Sequence, residues 1–200
     1  MDKSNWHDFL EVTKNIHARP TLLKAIELFK AQPLSSIDKF AIDLGCGAGG
    51  DTLELIKNGW RVLSIDKEKE AIELLKDKAS LLNCDLQTRI ERFENINNLP
   101  EPLLINASLS LPFCRPQDFN LFWEIITKSL QQRARFSGDF FGVRDDWSKN
   151  SSMTFHTIEQ VKNLFIDFKV EFFHERDERG PSATAGMKHW HSFSVVARKL

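Results

Sequence analysis

The segment with the clearest chemical potential is a glycine-rich stretch at residues 41–50, with the sequence AIDLGCGAGG. It places Gly45, Gly47, Gly49 and Gly50 after an apolar run typical of a strand and before a pattern typical of a helix. Glycine tolerates positive φ and lets a ligand approach the backbone, and a helix N-terminus offers unpaired N–H groups. The stretch therefore predicts a site for a nucleotide-like ligand, with a ligand-free glycine-rich connection as the alternative.

A carboxylate stands at the end of the next predicted strand. Asp66 follows the apolar run at 62–65 and lies 21 residues after Gly45. In nucleotide-binding βαβ units, an acidic residue at this place accepts hydrogen bonds from ribose hydroxyls. Asp66 could also cap the helix that follows, and the two roles are compatible. With the glycine turn, it indicates a nucleoside site.

A second group of polar residues lies near the end of the chain, between residues 174 and 191. Alternation along a strand would put His189 and His191 on one face and Trp190 on the other. We predict that both imidazoles contact a substrate, whereas the mixed charges at 177–179 are typical of a solvated loop. The two histidines lack a third ligand at a convincing spacing, so no metal is predicted.

Arg144 and Trp147 follow directly after the apolar run at 136–143. Ligands in open α/β sheets bind outside the carboxyl ends of the strands, so we expect both side chains near the reacting group. One of Asp145 and Asp146 is expected to cap a turn or helix instead.

The elements that must position these residues follow from apolar spacing. Residues 5–30 show spacings of three and four that predict two helices before any strand. From residue 40 onward, short apolar runs alternate with helical patterns, which is typical of βαβ units in a parallel sheet. The last two predicted strands are joined by a loop too short for a crossover helix and should pair antiparallel. The predicted strands are 40–44, 62–65, 103–107, 136–143, 170–174 and 193–197.

Composition limits the classes of protein that remain. The chain has 200 residues, 42% of them hydrophobic, which predicts one globular domain over 1–200. We expect residues 1–36 to form helices that serve as a lid over residues 37–200, the core. The net charge of −1 gives no broad basic field, so a nucleic-acid partner is not favoured.

Cysteine usage and hydropathy indicate the compartment. The three cysteines, Cys46, Cys84 and Cys114, form no CxxC pair, so neither a disulfide framework nor a zinc site is indicated. A reducing compartment fits this usage. No apolar run resembles a signal peptide or a membrane span, so we expect a cytoplasmic protein without membrane association.

Four segments carry a resemblance to a known family. DLGCGAGGDT at 43–52, followed by GWRVLSID at 59–66, resembles class I S-adenosylmethionine-dependent methyltransferases. INASLSLPF at 105–113 and FGVRDDW at 141–147 resemble the fourth-strand and fifth-strand segments of that family. GMKHWHSF at 186–193 is similar to small bacterial tellurite-resistance-type methyltransferases. Dinucleotide oxidoreductases share the βαβ pattern but rarely have an acid at the position of Asp43.

The resemblance implies a fold and a cofactor. The fold is α/β, a Rossmann-like and mostly parallel sheet with helices on both faces and an antiparallel C-terminal hairpin. The cofactor is S-adenosylmethionine, with Gly45 to Gly47 beside its methionine moiety, Asp66 on its ribose and residues 106–108 at its sulfonium. The cofactor-binding residues inferred in this way are Arg19, Asp43, Gly45, Cys46, Gly47, Gly49, Asp66, Lys67, Arg92, Phe93, Asn106, Ala107 and Ser108.

Two positions depart from the family pattern. Arg92 stands where many members have an acid for the adenine amino group, so we expect Phe93 or its backbone at adenine, with Glu94 as an alternative acceptor. Asn106 replaces an acid that is frequent at the end of the fourth strand. Its carbonyl oxygen can still accept a hydrogen bond from the methionine amino group.

These inferences predict a methyltransferase that acts on a small anionic or thiol acceptor. The wall facing the methyl group is predicted to consist of His189, His191, Arg144 and Trp147, because cations there could hold an anionic nucleophile. The alternatives are a methyltransferase acting on protein or RNA and a non-enzymatic S-adenosylmethionine-binding protein. The oligomeric state is left open.

Overall fold

The computed structural model describes residues 10–13, 15, 17–31, 39–183 and 185–200. The predicted N-terminal lid, residues 1–36, therefore lies partly outside the described residues. Within it, residues 10–13 are helical and a second helix follows at Pro20–Lys30. None of the described helices is long and apolar enough to cross a membrane.

Within the described residues, eight strands form one sheet in the order β3-β2-β1-β4-β5-β8-β7, with β6 paired to β5. The pairs from β3 to β5 are parallel, whereas β5–β8 and β7–β8 are antiparallel. The sequence predicts the antiparallel pairing of β7 with β8. The strands are β1 (Phe40–Leu44), β2 (Arg61–Asp66), β3 (Leu86–Ile90), β4 (Leu104–Ala107), β5 (Arg135–Gly142), β6 (Phe155–His156), β7 (Phe168–Ser182) and β8 (Gly186–Lys199).

Helices cover both faces of this sheet, which confirms the predicted fold class. Every residue of β1 and of β5 is buried, because strands in the middle layer pack on both sides. Proline at the first turn starts α1 and α4, and a Thr157–Gln160 capping box starts α5. The helices are α1 (Pro20–Lys30), α2 (Gly50–Lys57), α3 (Lys69–Ala79), α4 (Pro116–Ser129) and α5 (Ile158–Leu164).

The two faces have separate cores. Alternate residues of β1 divide between them: Ile42 packs with α4 and α5, and Ala41 packs with α1 and α2. The first core is rich in aromatic rings, most of which meet edge to face, as Trp123 and Phe136 do at 5.1 Å between centroids. This packing fixes the position of the carboxyl end of each strand. Ligands bind at these ends in such sheets.

The C-terminal hairpin is longer than predicted. The sequence predicts strands at 170–174 and 193–197 joined by a polar loop, but β7 and β8 pair from Phe168 to Lys199, and only residues 183–185 separate them in the sequence. β5 pairs with β8 only from Ser192 onward, so the distal part of the hairpin projects beyond the main sheet. The mixed charges at 177–179 therefore belong to a strand and not to a loop.

A buried ion pair anchors the hairpin to the sheet. The Arg135 guanidinium, which is 1% exposed, donates from Nε to Glu171 Oε2 at 2.6 Å, and Arg198 Nε donates to the other carboxylate oxygen at 3.2 Å. Glu171 lies at a register shift between Val170 and Phe172, which suits a β-bulge that re-aims a side chain. The Arg135 charge has no access to water and depends on this carboxylate.

We expect Glu171→Ala to lower the free energy of unfolding by about 3–5 kcal/mol, because it leaves a buried guanidinium without its counter-ion. Urea denaturation monitored by circular dichroism measures the change. Glu178→Ala serves as the control, since its side chain is 66% exposed and its removal should cost less than about 0.5 kcal/mol. A loss below about 1 kcal/mol for Glu171→Ala would contradict this account.

Candidate functional site

The glycine turn leaves β1 and closes against β2. Gly45 has φ +71° and donates its N–H to Ile65 O at 2.7 Å. A Cβ at Gly45 would lie 2.4 Å from Ser110 Cβ, so only glycine lets the segment after β4 approach the turn this closely. Gly47 has φ +50° and nothing within 4 Å of its missing Cβ, which leaves its backbone open to the cavity.

Asp66 lies beside this turn at the end of β2. Its Oδ2 accepts the Gly47 N–H at 2.9 Å, and its Oδ1 accepts the Glu68 N–H at 2.9 Å. Burial raises the pKa of Asp66 above its usual value. The carboxylate lines the cavity and orders the glycine turn and the start of the next helix at once.

The floor of the cavity is a pair of buried carboxylates that share one amide group. Asn106 Nδ2 donates to Asp43 Oδ1 at 2.9 Å and to Asp51 Oδ2 at 2.8 Å. Thr52 Oγ1 donates to the other oxygen of Asp43 at 2.6 Å. Burial, together with the charge of Asp51, raises the pKa of Asp43 to about 7.

Asn106 belongs to the buried layer beneath the two carboxylates. Its side chain is fully buried and is not part of the cavity lining, and its Oδ1 accepts from Ser108 Oγ at 3.2 Å. The amide therefore positions Asp43 and Asp51, and these two carboxylates line the cavity in its place. Asp51 was missed by the sequence interpretation, although its place directly after the glycines was a usable signal.

The N-terminal segment closes one side of the cavity. Arg19 donates its backbone N–H to Asp51 Oδ1 at 2.7 Å and lines the cavity, as do Leu10, Thr13 and His17. This contact places the residue before α1 directly over the first turn of α2. Arg19, which is predicted to bind the cofactor, thus lies beside Asp51 at the cavity.

The cavity has a volume of about 720 Å³, within the roughly 300–1,000 Å³ of small-molecule sites. At the expected adenine end, Arg92 is 61% exposed and pairs with Glu94 at 3.6 Å, while Phe93 stacks on Phe122 at 4.7 Å between ring centroids. Gly49, Asn106 and Ala107 lie outside the lining. The predicted cofactor residues that line the cavity are Arg19, Asp43, Gly45, Cys46, Gly47, Asp66, Lys67, Arg92, Phe93 and Ser108.

The other end of the cavity is aromatic and apolar. The ring centroids of Trp190 lie 5.9 Å from those of both Phe141 and Trp147. We define the aromatic end as the cavity-lining members of this cluster, which are Leu109, Phe113, Phe141, Trp147, Met153 and Trp190. The segment after β4 joins the two ends, because Leu109 packs in this cluster while Ser110 contacts Gly45.

A buried ion pair stands behind the aromatic end. Lys188 Nζ lies 3.6 Å from the Trp147 ring centroid and 4.0 Å from that of Trp190, and it binds Asp145 Oδ1 at 2.5 Å. Burial lowers the pKa of Lys188 below its usual value. Asp145 also accepts the N–H groups of Trp147 and His191, so the capping role considered for it is present. The sequence interpretation did not single out Lys188.

The four residues of the predicted acceptor wall do not all face the cavity. Trp147 lines the cavity, but Arg144, His189 and His191 do not. Their side chains meet carboxylates of β7 instead: Arg144 Nη2 donates to Asp177 at 2.6 Å and to Glu175 at 2.8 Å, and His189 Nε2 lies 2.7 Å from Asp177. Alternation places Trp190, not the imidazoles, on the cavity side.

The His191 ring lies on the side of the hairpin that faces away from the cavity, where it packs closely against Gly142. A Cβ at Gly142 would lie 2.0 Å from its Nδ1, so glycine makes room for the ring. The Arg144 backbone N–H donates to His191 Nδ1 at 3.0 Å, which assigns the proton to Nε2, the atom 3.0 Å from Glu175 Oε1. Glu175, Asp177 and His191 bring ligand-type atoms within 4.8 Å of one another. The His191 Nε2 proton faces Glu175, and the Arg144 guanidinium donates to both carboxylates. The cluster is therefore an ion-pair network.

Comparison with known proteins identifies a matching family and similar solved structures. The family model described as tellurite resistance protein TehB matches residues 6–129. TehB from Haemophilus influenzae superposes with a TM-score of 0.78 at 15% identity, over 91% of this chain and 62% of that chain. This chain thus spans less than two thirds of the length of that protein. No curated protein sequence matches significantly.

Two further structures share the fold. An S-adenosylmethionine-dependent methyltransferase from Methanosarcina mazei has a TM-score of 0.69 at 17% identity, covering 92% of this chain and 99% of that chain. The 1,6-didemethyltoxoflavin N1-methyltransferase from Burkholderia thailandensis has a TM-score of 0.70 at 16% identity, covering 98% and 84%. At such identities the likeness is one of fold.

We expect Asp66→Ala to weaken binding of S-adenosylhomocysteine by about 1.5–3 kcal/mol, because a charged hydrogen-bond acceptor is lost. Isothermal calorimetry measures the affinity. Asp66→Asn, which keeps one acceptor oxygen, should show a smaller loss. Asp85→Ala is the matched control, since that carboxylate is 62% exposed and remote from the cavity lining. Unchanged affinity in Asp66→Ala would place the ribose elsewhere.

We expect the affinity for S-adenosylmethionine to rise about tenfold between pH 6 and pH 8, because a cationic amino group favours the ionised form of Asp43. The sign follows from the pKa of Asp43, which is about 7. Below pH 7, binding must displace a proton from Asp43, whereas above pH 7 the carboxylate is already ionised. Calorimetry across this range measures the slope. Asp43→Asn should bind more weakly and without this slope, and a flat profile in the unmodified protein would contradict the assignment.

Proposed function

We propose, because the chain belongs to the tellurite resistance protein TehB family, that it is a methyltransferase which transfers a methyl group from S-adenosylmethionine to a small anionic or thiol acceptor. The observation that carries this proposal is the joining of two unlike ends in one cavity. One end has a glycine turn and carboxylates, and the other has aromatic rings and a cation. A nucleoside cofactor and a separate acceptor require such a pair of environments.

The residues at the carboxylate end fit S-adenosylmethionine. Gly47 has no atoms within 4 Å of its Cβ position, so the backbone can meet the ligand directly. Asp66 offers a carboxylate for the ribose hydroxyls, and Asp43 and Asp51 offer acceptors for an amino group. Arg19 and Lys67 add donors at the same end. The Burkholderia neighbour, for its part, binds S-adenosylhomocysteine.

The chain acts mainly by alignment. The cofactor supplies a methyl group that is activated by attachment to a sulfonium. The segment Ser108 to Ser110 lines the cavity, which supports a position for it beside the methyl group. Asp139 holds this segment by accepting the Leu109 N–H at 3.1 Å. Holding two reactants in line in this way lowers a barrier by as much as about 7–11 kcal/mol.

The main task of the residues at the aromatic end is to exclude water, and not to transfer protons. The six residues of the aromatic end carry no carboxylate and no imidazole, and their rings pack on one another. An acceptor that arrives as an anion needs no general base, because it has no proton to lose. Arg176 lines the cavity beside this end and provides a positive charge for such an acceptor.

We expect Trp147→Leu to reduce kcat/KM for methyl transfer by about tenfold or more while cofactor affinity stays within a few-fold, because Trp147 lines only the aromatic end. His189→Ala should leave kcat/KM within about twofold, since its imidazole lies on the opposite face of the hairpin.

Detection of methylated product from a panel of tellurium and selenium oxyanions, thiols and small carboxylates provides the assay. Circular dichroism and thermal unfolding verify that each variant folds. Loss of activity in His189→Ala with full activity in Trp147→Leu would reverse the assignment of the two faces. Absence of cofactor binding by the unmodified protein would overturn the proposed function itself.

A further inference from the structure

Leu109 has a backbone conformation that is unusual for its residue type. Its φ is +51°, in the left-handed region that a bulky side chain seldom adopts. Arg133 is the other non-glycine residue with a positive φ in the described part of the chain, and it lies outside the cavity lining, to which Leu109 belongs. Strained conformations of this kind persist only where neighbouring contacts enforce them, and they cluster at functional sites.

The residues on either side of Leu109 are bound to the end of the cavity that holds the glycine turn. Ser110 Oγ donates to Leu44 O at 2.6 Å, directly before that turn, and Ser108 Oγ donates to Asn106 Oδ1 at 3.2 Å. The Leu109 side chain, by contrast, packs in the aromatic cluster. The left-handed conformation thus lets three consecutive residues contact both ends of the cavity.

Asp139 is the residue that holds this conformation. It is only 4% exposed, and its Oδ2 accepts the Leu109 N–H at 3.1 Å. Its other oxygen, Oδ1, accepts from the hydroxyl groups of Thr21 at 3.1 Å and Ser194 at 2.6 Å. A hydrogen bond to a charged acceptor is roughly twice as strong as a neutral one. The buried carboxylate therefore opposes relaxation of Leu109 to a negative φ.

Asp139 does not contact the reactants itself. It is not among the residues that line the cavity, so its effect on a ligand must pass through the groups that it binds. If Leu109 relaxed to a negative φ, the backbone on both sides would turn, and Ser108 and Ser110 would leave their places in the lining. A ligand beside this segment would then lose contacts, although Asp139 never touched it.

We propose that Asp139 is a positioning residue for methyl transfer, which holds Leu109 in the left-handed conformation and thereby keeps Ser108 and Ser110 beside the cofactor. This inference rests on the proposed function. The carboxylate acts here as a hydrogen-bond acceptor for one backbone N–H, and not through the effect of its charge on the ligand. Loss of this acceptor should lower cofactor affinity, and a residue that adopts the left-handed conformation unaided should recover it.

Two substitutions at Asp139 separate hydrogen bonding from charge, with isothermal calorimetry of S-adenosylhomocysteine binding to the full chain as the measurement. We expect Asp139→Ala to weaken binding about tenfold, because the Leu109 N–H loses its acceptor. Asp139→Asn should stay within about threefold of the unmodified protein, since its amide oxygen can face Leu109 while its NH₂ group donates to the Thr21 and Ser194 hydroxyls. Equal losses in both variants would assign the effect to charge and refute the proposal.

Glycine at position 109 provides a specific rescue. Leu109→Gly and Leu109→Ala both remove the apolar side chain, but only glycine takes a positive φ without a steric cost. In the Asp139→Ala background, Leu109→Gly should bind S-adenosylhomocysteine at least about fivefold more tightly than Leu109→Ala. With Asp139 intact, the two should differ by less than about twofold, because the carboxylate holds either backbone. Equal affinities in the Asp139→Ala background would contradict the role of Leu109, since a merely structural Asp139 gives glycine no advantage.

Ser194→Ala is the matched control. It removes another hydrogen bond of the same carboxylate but leaves the contact with Leu109 in place. We expect it to change the affinity for S-adenosylhomocysteine by less than about twofold. A loss as large as that of Asp139→Ala would mean that Asp139 acts by holding the hairpin, and the proposal would be wrong.

Circular dichroism verifies that each variant folds, and one comparison does not depend on Asp139→Ala. Leu109→Val keeps more of the apolar side chain than Leu109→Gly, but its β-branched side chain is poorly tolerated at a positive φ. With Asp139 intact, Leu109→Val should therefore bind at least about fivefold more weakly than Leu109→Gly, and equal binding would overturn the inference. If the unmodified protein fails to bind S-adenosylhomocysteine, the proposed function fails. A contrary result in the variants, obtained while the unmodified protein binds, overturns only this inference.

Discussion

The amide group of Asn106 carries the constraint on which the cofactor end depends. Two carboxylates, Asp43 and Asp51, lie buried close together, and the charge of Asp51 helps to raise the pKa of Asp43, whereas the shared donor Asn106 lowers it. The parallel register of β1 and β4 sets Asn106 directly opposite Asp43, and the first turn of α2 adds Asp51. The floor of the cavity is thus a consequence of sheet register, and Asp51 in turn accepts the Arg19 N–H.

The acceptor end is tied to this floor through Asp139. This buried carboxylate accepts hydrogen bonds from Thr21 at the start of α1, from the Leu109 N–H after β4 and from Ser194 in β8. One side chain therefore fixes the N-terminal helix, the segment between the two ends and the hairpin with respect to each other. The hairpin at Ser194 and the segment at Leu109 are thus held by the same carboxylate.

The proximity of the glycine turn and Asp66 could be predicted from the sequence because its geometry is local. A strand, a turn and a helix in succession place Gly45, Gly47 and Asp66 with little help from the remainder of the chain. The hairpin was harder, since strand alternation predicts that His191 and Trp190 point to opposite faces but not which face meets the cavity. That choice depends on contacts remote in sequence, such as the Gly142 gap that admits the His191 ring.

The pair Lys188 and Asp145 explains why the aromatic end has a fixed shape. A buried ion pair is often no more stable than apolar residues of the same size, so stability alone does not account for it. Here one carboxylate also binds the backbone of Trp147 and of His191, and the ammonium contacts two rings. Breaking the pair would free both tryptophans at once. The buried charges thus hold the two rings in contact with each other at one end of the cavity.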